Sequence, residues 1–261
     1  ARAFARAAGA LRPPHPPRIF GEEKAMLNWS ATELSSAIHA RKVAPSEVMA
    51  AWLAQVQAVN GAVNALVSLR DPDALMAEAR ALDAVTPQGW LHGIPFAVKD
   101  LVATKGMRTT FGSPLFKDHV PVADDILAAR MRAAGAVFTA KTNVPEWGQG
   151  SHSFNPIFGV TQNPYDLTRS AGGSSGGAAA ALATRLAWVA DGSDMMGSLR
   201  NPAGFCNVYG LRPTWGMVPS DAEGESFIAT LATEGPMART IEDIARLLLV
   251  QAGENPEMPF P

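Results

Sequence analysis

Cysteine is almost absent from this chain, which has one, Cys206, among 261 residues. A lone cysteine cannot form a disulfide within the chain, so a reducing compartment, the cytoplasm, is the expected location. An excess of one charge is lacking as well, because the formal net charge is only -2 at pH 7. No apolar run reaches the length of a membrane span. We therefore expect neither a nucleic acid nor a membrane as partner.

Histidine is also scarce, and the spacing of the histidines excludes a metal centre built on them. No two of them sit at a metal-ligand spacing, so no metal is expected; they are His15, His39, His92, His119 and His152. His152 lies in a polar stretch but has no aspartate or second histidine nearby in the sequence to orient it. A role for His152 as a catalytic base is therefore disfavoured.

The first segment, residues 1–25, has arginines but no acidic residue before Glu22, and its prolines break any helix. We interpret it as an extension or disordered segment that precedes one domain over residues 26–261. A targeting remnant is an alternative that the charge bias suggests. Vector-derived sequence ahead of Met26 is another.

The rest of the chain alternates amphipathic segments of helical length with short apolar runs. A capping-box pattern at residues 30–33 (SATE) predicts the start of a helix, in which Leu34 and Ile38 form an apolar stripe. Further helices are predicted from residue 45 and over 71–82, 124–134, 177–186 and 240–250, and strands over 94–98, 135–140 and 187–190. Residues 141–148 and 155–165 are predicted as loops, and residues 207–212 as a short element. The alternation predicts a layered α/β fold.

Glycine and serine are concentrated in two neighbouring clusters, residues 170–177 (SAGGSSGG) and 191–202 (DGSDMMGSLRNP). Glycines beside a serine permit tight turns and the close approach of a ligand. A flexible linker is disfavoured because an apolar helix and strand follow the first cluster. A phosphate-binding loop is disfavoured because no Gly-Lys-Ser/Thr follows. No cofactor is expected.

Lys99 ends the apolar strand predicted over residues 94–98. A lysine is rarely fully buried without a partner. Taken alone, this stretch predicts a lysine at a strand end with its ammonium group in water.

Three segments together resemble the amidase signature family of amide hydrolases. Residues 93–100 (GIPFAVKD) are similar to its lysine motif, residues 172–177 (GGSSGG) to its glycine-serine motif, and residues 192–200 (GSDMMGSLR) to its nucleophile motif. The segments 205–213 (FCNVYGLRP) and 234–243 (EGPMARTIED) also match the family pattern. The resemblance implies a mixed β-sheet core between α-helices and hydrolysis of a carboxylic amide through a serine acyl-enzyme.

The resemblance further implies a Ser-cisSer-Lys triad, with Ser198 as nucleophile, Ser174 as bridge after a cis peptide bond, and Lys99 as base. Serine is a weak nucleophile and needs an adjacent proton acceptor. A lysine accepts a proton only when it is neutral, so Lys99 has to be desolvated to lower its pKa. We therefore expect the three side chains to converge within hydrogen-bonding reach.

The same resemblance implies an oxyanion hole and supporting residues. The hole would use the backbone N–H groups of Met195, Met196, Gly197 and Ser198, each typically worth about 3 kcal/mol in the transition state. Asp194 and Arg200 are predicted to hold this loop in place, and Ser175 to support the bridging serine.

Two departures from the family pattern concern activity. The family often has Thr-Gly or Ile-Gly where this chain has Met195 and Met196. A methionine at position 196 is expected to strain the backbone or to crowd the acyl pocket, which favours a damaged oxyanion hole. The chain is also shorter than family members and is expected to lack their C-terminal part.

Three hypotheses about function follow. The first is a hydrolase of small-molecule amides, with a homodimer as an open alternative to a monomer. The second is an A-type component of a glutamine amidotransferase, which would need partner subunits. The third is a catalytically impaired homologue that acts by binding.

Overall fold

The computed structural model describes residues 25–220 and 230–256. Residues 1–24, which form nearly all of the predicted extension, lie outside the described residues. Within the described ranges, the α-helices are α1 (Ala25–Asn28), α2 (Ala31–His39), α3 (Pro45–Val63), α4 (Pro72–Asp83), α5 (Ile126–Ala133), α6 (Gly176–Ala183), α7 (Arg200–Phe205) and α8 (Ile241–Gln251). Short 3-10 turns cover Pro114–Phe116 and Glu146–Gly148.

The strands of the same ranges form two three-stranded sheets and two short hairpins. They are β1 (Leu66–Val67), β2 (Pro95–Lys99), β3 (Val137–Thr142), β4 (Phe154–Asn155), β5 (Gly159–Val160), β6 (Gln162–Asn163), β7 (Asp166–Ser170), β8 (Val189–Asp194), β9 (Tyr209–Gly210) and β10 (Thr233–Ala238). In the first sheet β3 pairs in parallel with β2 and antiparallel with β1. In the second, β10 lies between β8 and β9 and is antiparallel to both.

The predicted helix starts are found where the capping chemistry places them. The Glu33 N–H donates to Ser30 Oγ at 3.1 Å, and the Ser30 N–H donates to the Glu33 carboxylate at 2.7 Å. This reciprocal pair satisfies two backbone groups and begins α2. At α8, the Asp243 N–H donates to Thr240 Oγ1 at 3.1 Å in the same way.

The two sheets meet where β2 lies beside β8. The backbone N–H of Lys99, at the end of β2, donates to both carboxylate oxygens of Asp191 in β8, at 3.0 and 3.1 Å. Both residues are fully buried. The end of β2 is therefore held against the strand that leads into residues 192–200.

Helix α6 packs against strands of both sheets, and all of its residues are buried. Its sequence, GGAAAALA, contains only small side chains and one leucine. A Cβ atom on Gly177 would lie 2.2 Å from the backbone nitrogen of Asn143. The helix can therefore approach the end of β3 this closely only because residue 177 has no side chain.

Two of the sequence-based element predictions were wrong around the second sheet. The strand predicted over residues 187–190 begins at Val189 and continues to Asp194, because all six residues pair with β10. Strand β10 itself was not predicted. Gly235 and Pro236 are residues that normally weaken a strand, yet β10 is the central strand of its sheet.

Smaller corrections concern the predicted loops and the end of α6. Lys141 and Thr142 belong to β3 and are fully buried, although the loop was predicted to start at residue 141. The loop predicted over 155–165 contains β5, which pairs with β4, and β6, which pairs with β7. Helix α6 ends at Ala183, not at residue 186, and Arg185 follows with a left-handed φ of 65°.

The mixed α/β class predicted from the sequence is confirmed, since parallel and antiparallel pairing coexist with packed helices. One hydrophobic cluster joins the helices to the strands of both sheets. Over residues 25–220 and 230–256, no helix has the length and apolarity required to cross a membrane.

Candidate active site

Lys99 is fully buried at the end of β2, and its side chain ends among serine hydroxyl groups. Lys99 Nζ lies 2.9 Å from Ser174 Oγ, 2.9 Å from Ser175 Oγ and 2.8 Å from Ser193 Oγ. The predicted contact with Ser174 is therefore present. The interpretation of this strand end in isolation, with the ammonium group in water, was wrong because β8 and the glycine-serine segment cover it.

Burial controls the electrostatics of Lys99. Loss of hydration lowers its pKa, as predicted, while the carboxyl groups of Glu234, Asp191 and Asp194 act in the opposite direction. Burial also raises the pKa of Asp191 to about 6, against the effect of its hydrogen bond from Lys99 N–H. The lysine is thus closer to neutrality at physiological pH than a lysine in water.

The glycine-serine segment presents two adjacent hydroxyl groups to Lys99. The peptide bond between Gly173 and Ser174 is cis, as predicted. Gly173 lies against the backbone of His152, where a Cβ atom would be 2.8 Å from the His152 nitrogen. Ser175 was predicted to support Ser174, and its own hydroxyl contacts Lys99 directly.

Ser198 follows β8 and is half-buried. Its carbonyl oxygen accepts a hydrogen bond from Ser175 N–H at 3.2 Å, which ties the two serine-containing segments together. Ser198 and Ser174 line one cavity of about 340 Å³, together with Ser193, Leu101, Trp147 and Met196. The structure therefore places both serines on one cavity with Lys99 beside Ser174, but among the described residues it forms no hydrogen bond between Ser174 Oγ and Ser198 Oγ, a contact that the expected convergence requires.

Asp194 organises the loop that carries Ser198. Its buried carboxylate accepts the N–H groups of Gly197 at 2.7 Å and Leu199 at 3.2 Å. It also accepts hydrogen bonds from Nε and Nη2 of Arg200, each at 3.0 Å. Burial alone would raise the pKa of Asp194, but the hydrogen bonds from Arg200 and the loop N–H groups lower it to about 2. The predicted positions of Asp194 and Arg200 beside this loop agree with these contacts.

The predicted oxyanion hole needs one correction. The Gly197 N–H points at Asp194 and is occupied by it at 2.7 Å, so Gly197 is not among the donors open to a ligand in this structure. The predicted donors that remain are the N–H groups of Met195, Met196 and Ser198. Gly197, with a φ of 114°, takes the conformation that favours glycine, and Met196 does not have a positive φ.

The methionine pair extends outwards from this loop. Met195 is 51% exposed and Met196 is 86% exposed. Met196 nevertheless lines the cavity beside Ser198, so its crowding of the acyl pocket stays a prediction. The expected backbone strain at residue 196 is not found, because the adjacent Gly197 makes the unusual turn.

Sequence reasoning missed Ser193, Asp191, Glu234 and Lys141. Asp191 and Ser193 are two residues apart in β8. A strand assignment through residue 194 would therefore have placed both side chains on one face of the strand, the face that lies towards Lys99 in the structure. Lys141 is a second fully buried lysine, whose Nζ donates to the Val102 carbonyl and to Thr104 Oγ1 at 2.6 and 2.7 Å. The apolar run before Lys141 was the available signal for burial.

His152 is exposed, and its Nδ1 lies 3.0 Å from Ser170 Oγ. This surface contact agrees with the interpretation of the sequence, which disfavours His152 as a base. In the part of the chain that the structure describes, no three His, Cys, Asp or Glu side chains are arranged to hold a metal ion.

A buried lysine that contacts serine hydroxyls beside a cavity is an arrangement that can activate a serine as a nucleophile. The family model named Amidase matches residues 47–259. The chain belongs to the amidase family.

Individual relatives match nearly the whole chain. It is 44% identical over 226 residues to the A-type component of the glutamyl-tRNA(Gln) amidotransferase of Thermus thermophilus, covering 87% of this chain and 47% of that protein. It is 39% identical over 241 residues to an acylamidase of Rhodococcus erythropolis, covering 90% and 50%. A solved 6-aminohexanoate cyclic dimer hydrolase in complex with substrate superposes with a TM-score of 0.82 at 36% identity, covering 90% and 48%. The chain spans about half the length of these relatives.

Proposed function

We propose that this chain carries the catalytic residues of an amide hydrolase, with Ser198 as nucleophile, Ser174 as proton bridge and Lys99 as base. The observation that carries the proposal is the 2.9 Å contact between the buried Lys99 Nζ and Ser174 Oγ, beside a cavity that Ser198 also lines. The amidase and acylamidase relatives support the same chemistry.

The hydroxyl groups around Lys99 suit a neutral amine. A neutral lysine has two N–H donors and one lone pair. Ser175 and Ser193 can accept the two N–H groups, which leaves the lone pair for the hydroxyl proton of Ser174. As Ser174 gives up that proton, its oxygen takes the proton of Ser198.

Acyl transfer then follows from the activated serine. Ser198 Oγ bonds to the amide carbon, the C–N bond breaks, and the leaving amine receives the proton back through Ser174. The N–H groups of Met195, Met196 and Ser198 are the donors proposed for the oxyanion. Water hydrolyses the acyl-enzyme and regenerates Ser198.

The cavity favours amides with an apolar group. Leu101, Trp147 and Met196 line it next to the serines. Trp147 is held by stacking on Phe111, with ring centroids 5.4 Å apart and an angle of 11° between the planes. We expect an aryl or alkyl amide to be hydrolysed faster than a charged one of equal size, measured as kcat/KM.

Labelling with a serine-directed fluorophosphonate tests the assignment. We expect the chain to be labelled at Ser198, and Ser198→Ala and Lys99→Ala to lose labelling. Lys105→Ala is a matched control, because Lys105 is an exposed lysine, and it should label like the original chain. Labelling that survives Ser198→Ala would refute the nucleophile.

An amidotransferase component is the second candidate, favoured by the 44% identity to the Thermus thermophilus protein. Release of ammonia from glutamine, in the presence of partner subunits, would distinguish it from an amidase. A catalytically impaired homologue that acts by binding is the third candidate, and failure to label would favour it.

A cytoplasmic location and a homodimer remain predictions. Sedimentation of the purified chain tests the homodimer.

A further inference from the structure

Glu234 lies in β10, the strand that pairs with β8 beside the lysine site. In the register between β10 and β8 it is directly opposite Ser193. Residues directly opposite each other in an antiparallel pair project to the same face, with Cβ atoms about 5 Å apart. Ser193 Oγ is in turn 2.8 Å from Lys99 Nζ. Glu234 therefore belongs to the surroundings of Lys99, although it is 135 positions away in the sequence.

The carboxyl group of Glu234 has a buried oxygen, Oε2, that makes no hydrogen bond within residues 25–220 and 230–256. A buried carboxylate that lacks partners is unfavourable, whereas a neutral carboxylic acid is tolerated much better. Its site thus favours a bound proton.

The charged groups that act on this pair come from strands β2, β8 and β10 and from the residue that precedes α5. The negative charges of Glu234 in β10 and of Asp191 and Asp194 in β8 raise the pKa of Lys99. The positive charge of Lys99 in β2 lowers the pKa of Glu234, whereas the negative charges of Asp191 and of Asp125, which precedes α5, raise it. Burial raises the pKa of Glu234 and lowers that of Lys99, so the two groups compete for protons in the same pH range.

We infer that Glu234 is a positioning residue that sets the pH range in which Lys99 becomes neutral, because Lys99 Nζ and the Glu234 carboxyl group exchange one proton. The inference rests on the proposed function of Lys99 as base. The exchange moves one proton from Lys99 Nζ to a carboxylate oxygen of Glu234. It converts an ion pair into a neutral pair and leaves the total charge unchanged.

The neutral pair is the active form. Of the two forms that hold one shared proton, only the neutral pair gives Lys99 the lone pair that accepts the proton of Ser174. With one proton shared between Lys99 and Glu234, the fraction of neutral lysine does not depend on pH. Loss of the second proton at higher pH then makes every Lys99 neutral. The acylation rate should therefore rise with pH in two steps, separated by a plateau.

The pH profile of the rate at which a fluorophosphonate labels Ser198, with Ser198 Oγ displacing fluoride from phosphorus, tests this inference. Glu234→Gln removes the proton acceptor, so we expect a single step in the pH profile. This step should lie below the upper step of the original chain by on the order of one pH unit, because the carboxylate no longer stabilises the ammonium form of Lys99. Glu234→Asp should restore two steps. Glu242→Gln, on the exposed side of α8, is the matched control and should keep the original profile.

A purely structural role would predict a different result. Glu234→Gln would then lower the rate by the same factor at every pH and keep the two steps, or Glu234→Asp would fail to restore them. Either outcome overturns the inference.

A second measurement keeps this inference separate from the proposed function. In a chain with 13C-labelled lysine, the Lys99 signal is assigned by its loss in Lys99→Ala and is followed with pH by NMR. Glu234→Gln should shift its titration to lower pH and leave that of the buried Lys141 in place. If the chain is never labelled by fluorophosphonate, the proposed function fails, while the NMR titration still decides the role of Glu234. An unshifted Lys99 titration refutes that role.

Discussion

Lys99 and the residues around its amine illustrate how position decides chemistry at the scale of single residues. The strand buries the charge, and the three serine hydroxyls replace its water. Hydroxyl groups can donate or accept, so they can solvate either protonation state of the lysine. This set of partners suits a lysine that changes its protonation state during a reaction.

The pH dependence of hydrolysis is the first prediction at this scale. The neutral form of Lys99 accumulates as the pH rises through its pKa, and burial lowers that pKa below the ordinary value of about 10.4. The rate should therefore increase with pH and reach its maximum below the pH at which free lysine titrates. The measurement is kcat/KM on an aryl amide from pH 6 to 10, and a flat profile with chemistry rate-limiting contradicts the mechanism.

The second prediction concerns Met196. Its side chain is 86% exposed, and the neighbouring Gly197 has the positive φ. Met196→Gly should consequently change kcat/KM on a simple aryl amide by much less than the roughly 10²-fold that one lost oxyanion donor costs. An increase of that size would show that the methionine damages the oxyanion hole, as the sequence alone suggested.

At the scale of elements, α2 is held by a residue from α8. The Asp243 carboxylate accepts the N–H of Ala31 at 3.0 Å, and the N–H and hydroxyl of Thr32 at 2.9 and 2.8 Å. These are the first N–H groups of α2, which have no partner within the helix. A negative charge at a helix N-terminus is also favourable.

The third prediction is that Asp243→Ala destabilises the chain. The change leaves buried donors of α2 unpaired, which should lower the free energy of unfolding by about 2 kcal/mol. Asp243→Asn retains one acceptor oxygen and should have an intermediate effect. Urea unfolding followed by circular dichroism measures both. Glu242→Ala is the exposed control, and equal stability of the Asp243 and Glu242 variants would contradict this account.

At the scale of the whole molecule, the close contact of α6 with the sheets positions the site. This helix begins directly after Ser174 and Ser175, and it approaches β3 through Gly177. A Cβ atom there would meet backbone atoms of Asn143 at 2.2 and 2.6 Å. Because backbone atoms cannot rotate away, a larger residue has to push the helix and its serines away from Lys99.

The fourth prediction follows from this contact. Gly177→Ala should lower the free energy of unfolding by about 1–3 kcal/mol and reduce labelling of Ser198. Gly61→Ala is the matched control, since Gly61 lies in α3 with nothing within 4 Å of its added Cβ. That variant should be more stable by up to about 1 kcal/mol. A Gly177→Ala chain as stable as the original would refute the close-packing argument.

Local chemistry explains which features could be predicted from the sequence. The capping boxes, the prolines at helix starts and the helical periodicity act over a few residues, so the helix starts at α2, α3 and α8 were predictable. Lys99, Ser174 and Ser198 were identified because each lies in a recognisable segment. The cis bond before Ser174 came from the family resemblance.

Contacts between distant segments decided the rest. Strand β10 contains Gly235 and Pro236, and only its pairing with β8 and β9 makes it a strand. The burial of Lys99, the use of the Gly197 N–H by Asp194 and the location of Glu234 opposite Ser193 all depend on segments that meet after folding. The sequence by itself determined which residues are proposed to carry the chemistry. The tertiary structure decided their hydration and their neighbours, because a pKa and a free hydrogen-bond donor depend on what surrounds a group in space.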